Sequence, residues 1–360
     1  AKAKTEKVDD PEFNWWEEVN TICRVRLNDA TSMNDTDTAV VVDSGALELI
    51  PGDILQVETA ETQAYGQELV RVTAVTSDTA FTIARGVAGS AAAAIPDDTY
   101  FTRIGNAQSE GNRSIASSST NPTKLTNYCQ IFKTPYQISK SALATRFRTG
   151  DPKKNEQKRK SFQHAEKIEQ ALLWGKAYET TDPTNNNMPL RYTGGLRHFI
   201  TSHRTVFSAD PTVDTFLSAV YPVFDYDAGG AGDERIVFCG NGALNYLNKL
   251  VRSETNSRVT FDKVIEYYGM KLQRWVIPQG TLYLKSHPLM NVHPVYQYSM
   301  FVVNPAGITY RPLAGRDTKL EKDIQENDAD YIKDQWLTEA GFEFHHERTF
   351  AYVGGFKDFP

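Results

Sequence analysis

"KKNEQKRKSFQHAEKIEQALLWGKAYE", residues 153–179, contains no Pro and reaches its first Gly only at Gly175, after the turn "RTGDP" at 148–152. Phe162, Ala165, Ile168, Leu172 and Gly175 recur at spacings of three and four, which predicts one stripe of an amphipathic helix. Lys160, Gln163, Glu166, Lys167, Gln170 and Trp174 occupy its other faces. The start of this helix gathers Lys153, Lys154, Lys158, Arg159 and Lys160 against a single Glu156. Positive charge at a helix N-terminus opposes the macrodipole, so local stability alone does not select the cluster. Two readings stay open for it: a contact with an acidic partner surface, or a solvated basic face.

Upstream of the helix the pattern has period two. Residues 38–104 consist of short β-branched and aromatic runs divided by Pro51-Gly52-Asp53, Thr76-Ser77-Asp78 and Gly86, the signature of a small antiparallel barrel or sandwich. Residues 1–37 are polar except for "PEFNWWEEVN" (11–20), where Trp15 and Trp16 carry too much apolar surface to be expected in water. Downstream, residues 200–315 alternate helix-like and strand-like runs, a mixed α+β pattern. "DADYIKDQWLT" (328–338) and "GFEFHHERTFAYVGG" (341–355) read as two long strands, with Glu339-Ala340-Gly341 as the bend of a hairpin.

Composition bounds the function. The chain has 360 residues, 40% hydrophobic and 23% charged, and a net charge of -6. That describes an ordinary globular protein, and the acidic balance argues against a chain that wraps nucleic acid. No stretch approaches the roughly 20 apolar residues of a membrane span. Cys23, Cys129 and Cys239 form no CxxC pair or disulfide framework, so a reducing compartment is expected.

Motifs for chemistry are weak. In the 342–355 run, adjacent His345 and His346 on a strand point to opposite faces, and His345 with Glu347 supplies only two ligands where zinc sites use three or four. "FCGNGALN" (238–245) sits between a strand and a helix, yet Asn245 stands where a dinucleotide loop needs its third glycine. The two glycines read as turn and helix entry. No nucleophile and base can be paired, so no catalytic residue, metal site or cofactor is expected, and the chain does not read as an enzyme.

The order of segments does carry a resemblance. "PEFNWWEE" (11–18), "VVDSGALELIPGDILQV" (41–57), "GQELVRVTAV" (66–75), "FTIARGVAGSAAAAI" (81–95) and "IGNAQSEG" (104–111) are followed by the most specific block. That block chains "TNYCQIFKTPYQISKSALATRF" (126–147), "KRKSFQHAEKIEQALLWGK" (158–176) and "RYTGGLRHFI" (191–200). The chain resembles the major capsid proteins of tailed bacteriophages over nearly its whole length, in the subfamily with an N-terminal β insert.

The resemblance implies the α+β tailed-phage major capsid (Johnson) fold, shared with herpesvirus capsid floors and bacterial encapsulin shells. Residues 1–37 would be an N-terminal arm and 38–106 the inserted β unit. Residues 107–135 would be the return side of an extended loop whose other side is 30–40. Residues 136–200 would be a peripheral domain with the long helix as its spine, 201–315 an axial domain, and 316–360 the closing hairpin of the peripheral domain and the C-terminus. The implied function is self-assembly through hexamers and pentamers into an icosahedral shell enclosing double-stranded DNA, bound without sequence specificity.

Implied partners are further copies of the chain, with scaffolding, portal and decoration proteins, and no membrane; the place is the virion, after assembly in the host cytoplasm. Candidate contacts between subunits are Trp15, Trp16, Lys153, Lys154, Lys158, Arg159 and Lys160, with Lys124 in the extended loop. Acidic groups of a neighbour around Glu321, Asp323 and Glu326 would face the basic cluster. The alternatives are an encapsulin-like nanocompartment shell, or a β-rich adhesion protein built on residues 38–104.

Overall fold

The computed structural model describes residues 4–18, 24–29, 32–58, 67–111, 122–145, 150–225, 232–253, 262–267 and 270–357. The chain divides into two compact units, one of residues 18–123 and one of residues 1–17 with 124–360.

The 18–123 unit is a six-stranded sheet in the order Arg24–Arg26, Tyr100–Asn106, Asp53–Val57, Leu69–Ser77, Ala80–Ala84, Ala39–Val41, antiparallel throughout. Strict alternation builds it: in Asp53–Val57 and Ala80–Ala84 every second residue is buried. Val25, Leu55, Val70, Phe81, Ile83 and Phe101 meet in one apolar cluster. Glu68 and Arg85 form a buried ion pair at 2.6 Å, completed by the Gly86 and Ala93 N–H groups, which donate to the Glu68 carboxylate. The unit is wider than the expected 38–106, because Arg24–Arg26 supplies an edge strand and Met33 bridges Ile95.

The described part of residues 30–40 joins this sheet, through Met33 and Ala39–Val41. Within the expected return side, 107–135, Thr123–Tyr128 is a strand and Gln130–Ser139 begins another, while residues 112–121 lie outside the described residues.

The second unit holds two larger sheets. One has the order Lys4–Thr5, Ile308–Pro312, Tyr331–Phe344, Gln130–Ser139, with Lys319–Glu321 also paired to Tyr331–Phe344. The other has seven strands: Arg204–Val206, Ala351–Gly354, Ser299–Val303, Glu234–Cys239, Gly280–Ser286, Met270–Ile277 and Asp262–Tyr267. The parallel pair Glu234–Cys239 and Gly280–Ser286 needs a crossover, and the helix Asn241–Ser253 lies on that path. Phe216, Val237, Leu247, Trp275, Met300 and Val353 form the core of the seven-stranded sheet. Gly240 and Gly242 are explained by packing and not by a phosphate: a Cβ at Gly240 would lie 2.2 Å from the Gln297 carbonyl oxygen, and one at Gly242 2.6 Å from the Tyr298 ring.

The long helix spans Pro152–Trp174, starting one residue earlier and ending five earlier than the sequence run suggests. Asp151 caps it by accepting from the Lys153 and Lys154 N–H groups at 2.9 and 3.4 Å, with Pro152 in the first turn. It stops at Gly175, where a Cβ would lie 2.4 Å from the Thr193 carbonyl oxygen. Its buried side is not the predicted stripe throughout. Ile168 and Leu172 pack as expected, but Phe162 is 68% exposed, and His164 takes the buried position instead.

The closing hairpin is also corrected. Tyr331–Phe344 is one uninterrupted strand of 14 residues, and Ala340 and Gly341 lie within it, paired to Gln130, Pro312 and Arg311. Gly341 serves close approach and not a bend: a Cβ there would lie 2.6 Å from the Phe13 ring. The strand ends where His346 takes a left-handed backbone conformation with φ 57°. A single 3-10 turn, Glu347–Thr349, then sends the chain into Ala351–Gly354, in the other sheet.

Candidate interaction surface

The predicted contact residues fall into two places, a two-stranded ribbon and the start of the long helix. In the strand Glu12–Glu17, paired to Thr123–Tyr128, alternate side chains turn inward. Trp15 is therefore 4% exposed and Trp16 61% exposed. Trp15 packs on Phe13, Phe199 and His345 of its own chain, and its indole N–H donates to Glu17 Oε1 at 3.1 Å. The expectation that both tryptophans anchor another chain is corrected for Trp15, which is satisfied internally. The alternation that separates His345 from His346 in a strand would also have separated these two. Lys124 is exposed on the same two-stranded ribbon.

The basic cluster is split in the same way. Lys153 turns toward the sheet, its Nζ 3.4 Å from Asp334 Oδ2, and Asp334 is fully buried. The Tyr136 hydroxyl and the Asp323 N–H also donate to Asp334, each at 2.9 Å. Desolvation alone would raise the Asp334 pKa, but these hydrogen bonds and the Lys153 charge hold it below the ordinary carboxylate value. Lys153 is thus an internal counter-ion. Lys154 and Lys158 are exposed, Arg159 pairs with Glu156 at 2.8 Å, and Lys160 donates to Gln163 Oε1 at 3.0 Å. Glu321 is engaged by Lys319 and Gln335, while Asp323 and Glu326 remain exposed.

His345, His346 and Glu347 hold the chain's own crossing between the two sheets. His345 Nε2 lies 2.7 Å from Glu343 Oε1, and Glu343 also binds Arg311. The His346 N–H donates to Glu17 Oε1 at 2.8 Å. The Glu347 carboxylate accepts from the Thr201 and Ser202 N–H groups at 3.2 and 3.3 Å. Among the described residues no cluster of three or more His, Cys, Asp or Glu could hold a metal ion, and no helix is long and apolar enough to cross a membrane. Burial pushes the Cys129 thiol up to about 12 and raises Cys239 further, which leaves both as protonated packing groups at neutral pH.

One surface was missed in the sequence. Tyr178–Asp182 and Met188–Tyr192 form a hairpin whose register sets Tyr178 opposite Tyr192 and Thr180 opposite Leu190. Tyr178, Met188, Leu190 and Tyr192 share one face, and all four are exposed. Glu179 and Arg191 pair at 2.9 Å on the opposite face. The period-two pattern around "DPTNNN" (182–187) was the available signal. On the β unit, by contrast, Phe81 and Phe101 are buried, so they present nothing for the adhesion alternative; Tyr65 lies outside the described residues.

The family model described as SU10 major capsid protein matches residues 2–357. A curated relative, the major capsid protein of Pseudomonas phage PaMx41, is 25% identical over 248 residues, which is 67% of this chain and 58% of the relative. The match therefore spans under two thirds of that protein's length. Among solved structures, a chain of the holo-SrpI encapsulin complex from Synechococcus elongatus PCC 7942 superposes with a TM-score of 0.46 at 8% identity, covering 67% of this chain and 78% of that one. A chain of the bacteriophage PhiM1 mature capsid gives 0.43 at 12% identity, covering 71% and 79%.

Proposed function

The chain belongs to the SU10 major capsid protein family, and from that premise we propose that it is a shell subunit whose activity is binding to copies of itself. The observation that carries the reading is the extent of the family match, residues 2–357. Hexamers and pentamers are heterologous rings, in which each subunit offers two different surfaces that must fit one another. The exposed candidates divide along that line: Trp16 with Lys124 on one ribbon, and Lys154, Lys158 and Arg159 along the start of the long helix. Acidic groups of a neighbour, such as Asp323 and Glu326, suit the exposed cations through a salt-sensitive contact. The net charge of -6 fits a shell that encloses double-stranded DNA without gripping it. Assembly in the host cytoplasm, with scaffolding, portal and decoration proteins as partners, completes the proposal.

Electron microscopy and light scattering on the purified chain, alone and with a crowding agent, test this reading. Rings of five and six or closed shells are the expected result. A chain that stays monomeric at every concentration, also with a candidate scaffolding protein, would overturn it.

A further inference from the structure

The hairpin Tyr178–Tyr192 is amphipathic in an unusual sense: its exposed face is the apolar one. Tyr178 is 57% and Met188 55% exposed, with Leu190 and Tyr192 beside them. A two-stranded ribbon is marginal on its own, and clustered large apolar side chains in water mark a surface that something covers. The base of this face opens into a groove of about 750 Å³, lined by Phe132, Trp174, Tyr178 and Tyr192 with Lys167 and Lys176. That volume lies in the range of sites that enclose a drug-sized group, roughly 300–1,000 Å³. The lining offers aromatic faces and two cations, and it contains no carboxylate.

Among the described residues, complementary chemistry stands on the strand Glu12–Glu17. Trp16 stands outward from Glu12–Glu17, with Glu12 exposed on the same face and the exposed Glu18 following it. An indole flanked by carboxylates matches an aromatic groove flanked by ammonium groups, by stacking and by charge. Trp16 cannot be serving its own groove, because it is 61% exposed in its own chain. We infer that the groove between the long helix and the hairpin receives Trp16 of a second copy of this chain. The inference rests on the shell-subunit reading and names the two halves of one of its contacts. Each copy gives a tryptophan to one neighbour and receives one from another, so the contact propagates around a ring and does not close on a dimer.

The test places the photo-reactive residue p-benzoylphenylalanine at position 178 and mixes isotope-labelled with unlabelled chains, so that links between copies can be told from links within one. Irradiation followed by peptide mass spectrometry is expected to join position 178 of one copy to the 12–18 segment of another. Trp16→Ala should abolish that link and weaken self-association at least tenfold, while Trp16→Phe retains most of both. Rings or shells whose links from position 178 go elsewhere, with Trp16→Ala assembling like the parent chain, would overturn the inference and leave the shell reading intact. A chain that gives no links between copies and remains monomeric would remove both.

Discussion

From Lys153 to His164 the long helix meets its sheet through polar atoms: Lys153 with Asp334, the Gln157 carbonyl with the Trp336 indole at 3.3 Å, and His164 between Thr134 and Thr338 at 3.0 and 2.7 Å. From Ile168 to Trp174 the same helix packs mainly through carbon, in a cluster with Phe342, Phe344, Phe301 and Tyr352, apart from Glu169, which pairs with His287 at 2.9 Å. The second half supplies non-directional stabilisation, worth about 1.5–3 kcal/mol for each fully buried large side chain. The first half adds little net energy per bond, since each hydrogen bond replaces one to water, about 0.5–1.5 kcal/mol. What it adds is direction, because its donors and acceptors match in one rotation and one register of helix on strand. It also brings the titratable groups Asp334 and His164 into the helix–sheet contact.

The comparison can be broken most forcefully in the apolar half. Leu173→Ala should cost about 2–5 kcal/mol by the cavity it leaves, measured by denaturant unfolding. That loss should be the same at pH 5 and pH 8, since no titrating group is involved. Asp334→Ala should cost about 1–3 kcal/mol at neutral pH by stranding the Tyr136 hydroxyl and the Asp323 N–H. The Asp334 pKa is depressed in the folded chain, so its contribution is present above the ordinary carboxylate value of 3.8 and lost as pH falls through the folded value. The gap between parent and variant should therefore narrow on acidification. A gap that stays constant down to acid denaturation would mean that Asp334 acts by packing.

A smaller effect is expected at His164. Burial, with some help from the Lys167 charge, lowers its pKa below 6.5. Between the folded value and 6.5 the unfolded chain binds the extra proton, so stability falls as pH drops through that window. His164→Leu should flatten that slope in unfolding curves collected from pH 7 to 5; an unchanged slope would assign it to His198 or His203, which burial also shifts downward. Smallest of all, the double change Lys158→Glu and Arg159→Glu should move stability by less than about 0.5 kcal/mol, because these groups are exposed. Its effect should appear in the salt dependence of assembly, read by light scattering. Assembly and salt dependence both identical to the parent would remove the cluster from the interface.

Legibility in the sequence followed physical cause. The helix was readable because its cap, its Pro and its terminating Gly act within a few residues. The antiparallel strands between residues 38 and 106 were readable because alternation is local. Phe162 misled because spacing says which residues share a face but not which face is covered, and here a histidine bonded to threonines on two strands won the buried place. Gly341 misled because glycine signals either a turn or a close approach, and the Phe13 ring that requires it lies more than three hundred residues away in the chain. His346 misled because its left-handed backbone is held by groups far away in the chain: Glu17 and Gly307 accept from the N–H groups of His346 and His345. The hairpin groove was invisible for the same reason, being assembled from a strand, a helix end and a ribbon.

The strand Ala351–Gly354 lies between Arg204–Val206 and Ser299–Val303, with partners on both sides. A ribosome makes both flanking strands before it makes the one that joins them. At roughly 5–20 residues per second, those two strands wait for seconds with open edges, a template for pairing with the wrong chain. A chain interrupted before residue 351 would keep that gap permanently. The order of synthesis therefore leaves the closing of this sheet to four residues near the end of the sequence.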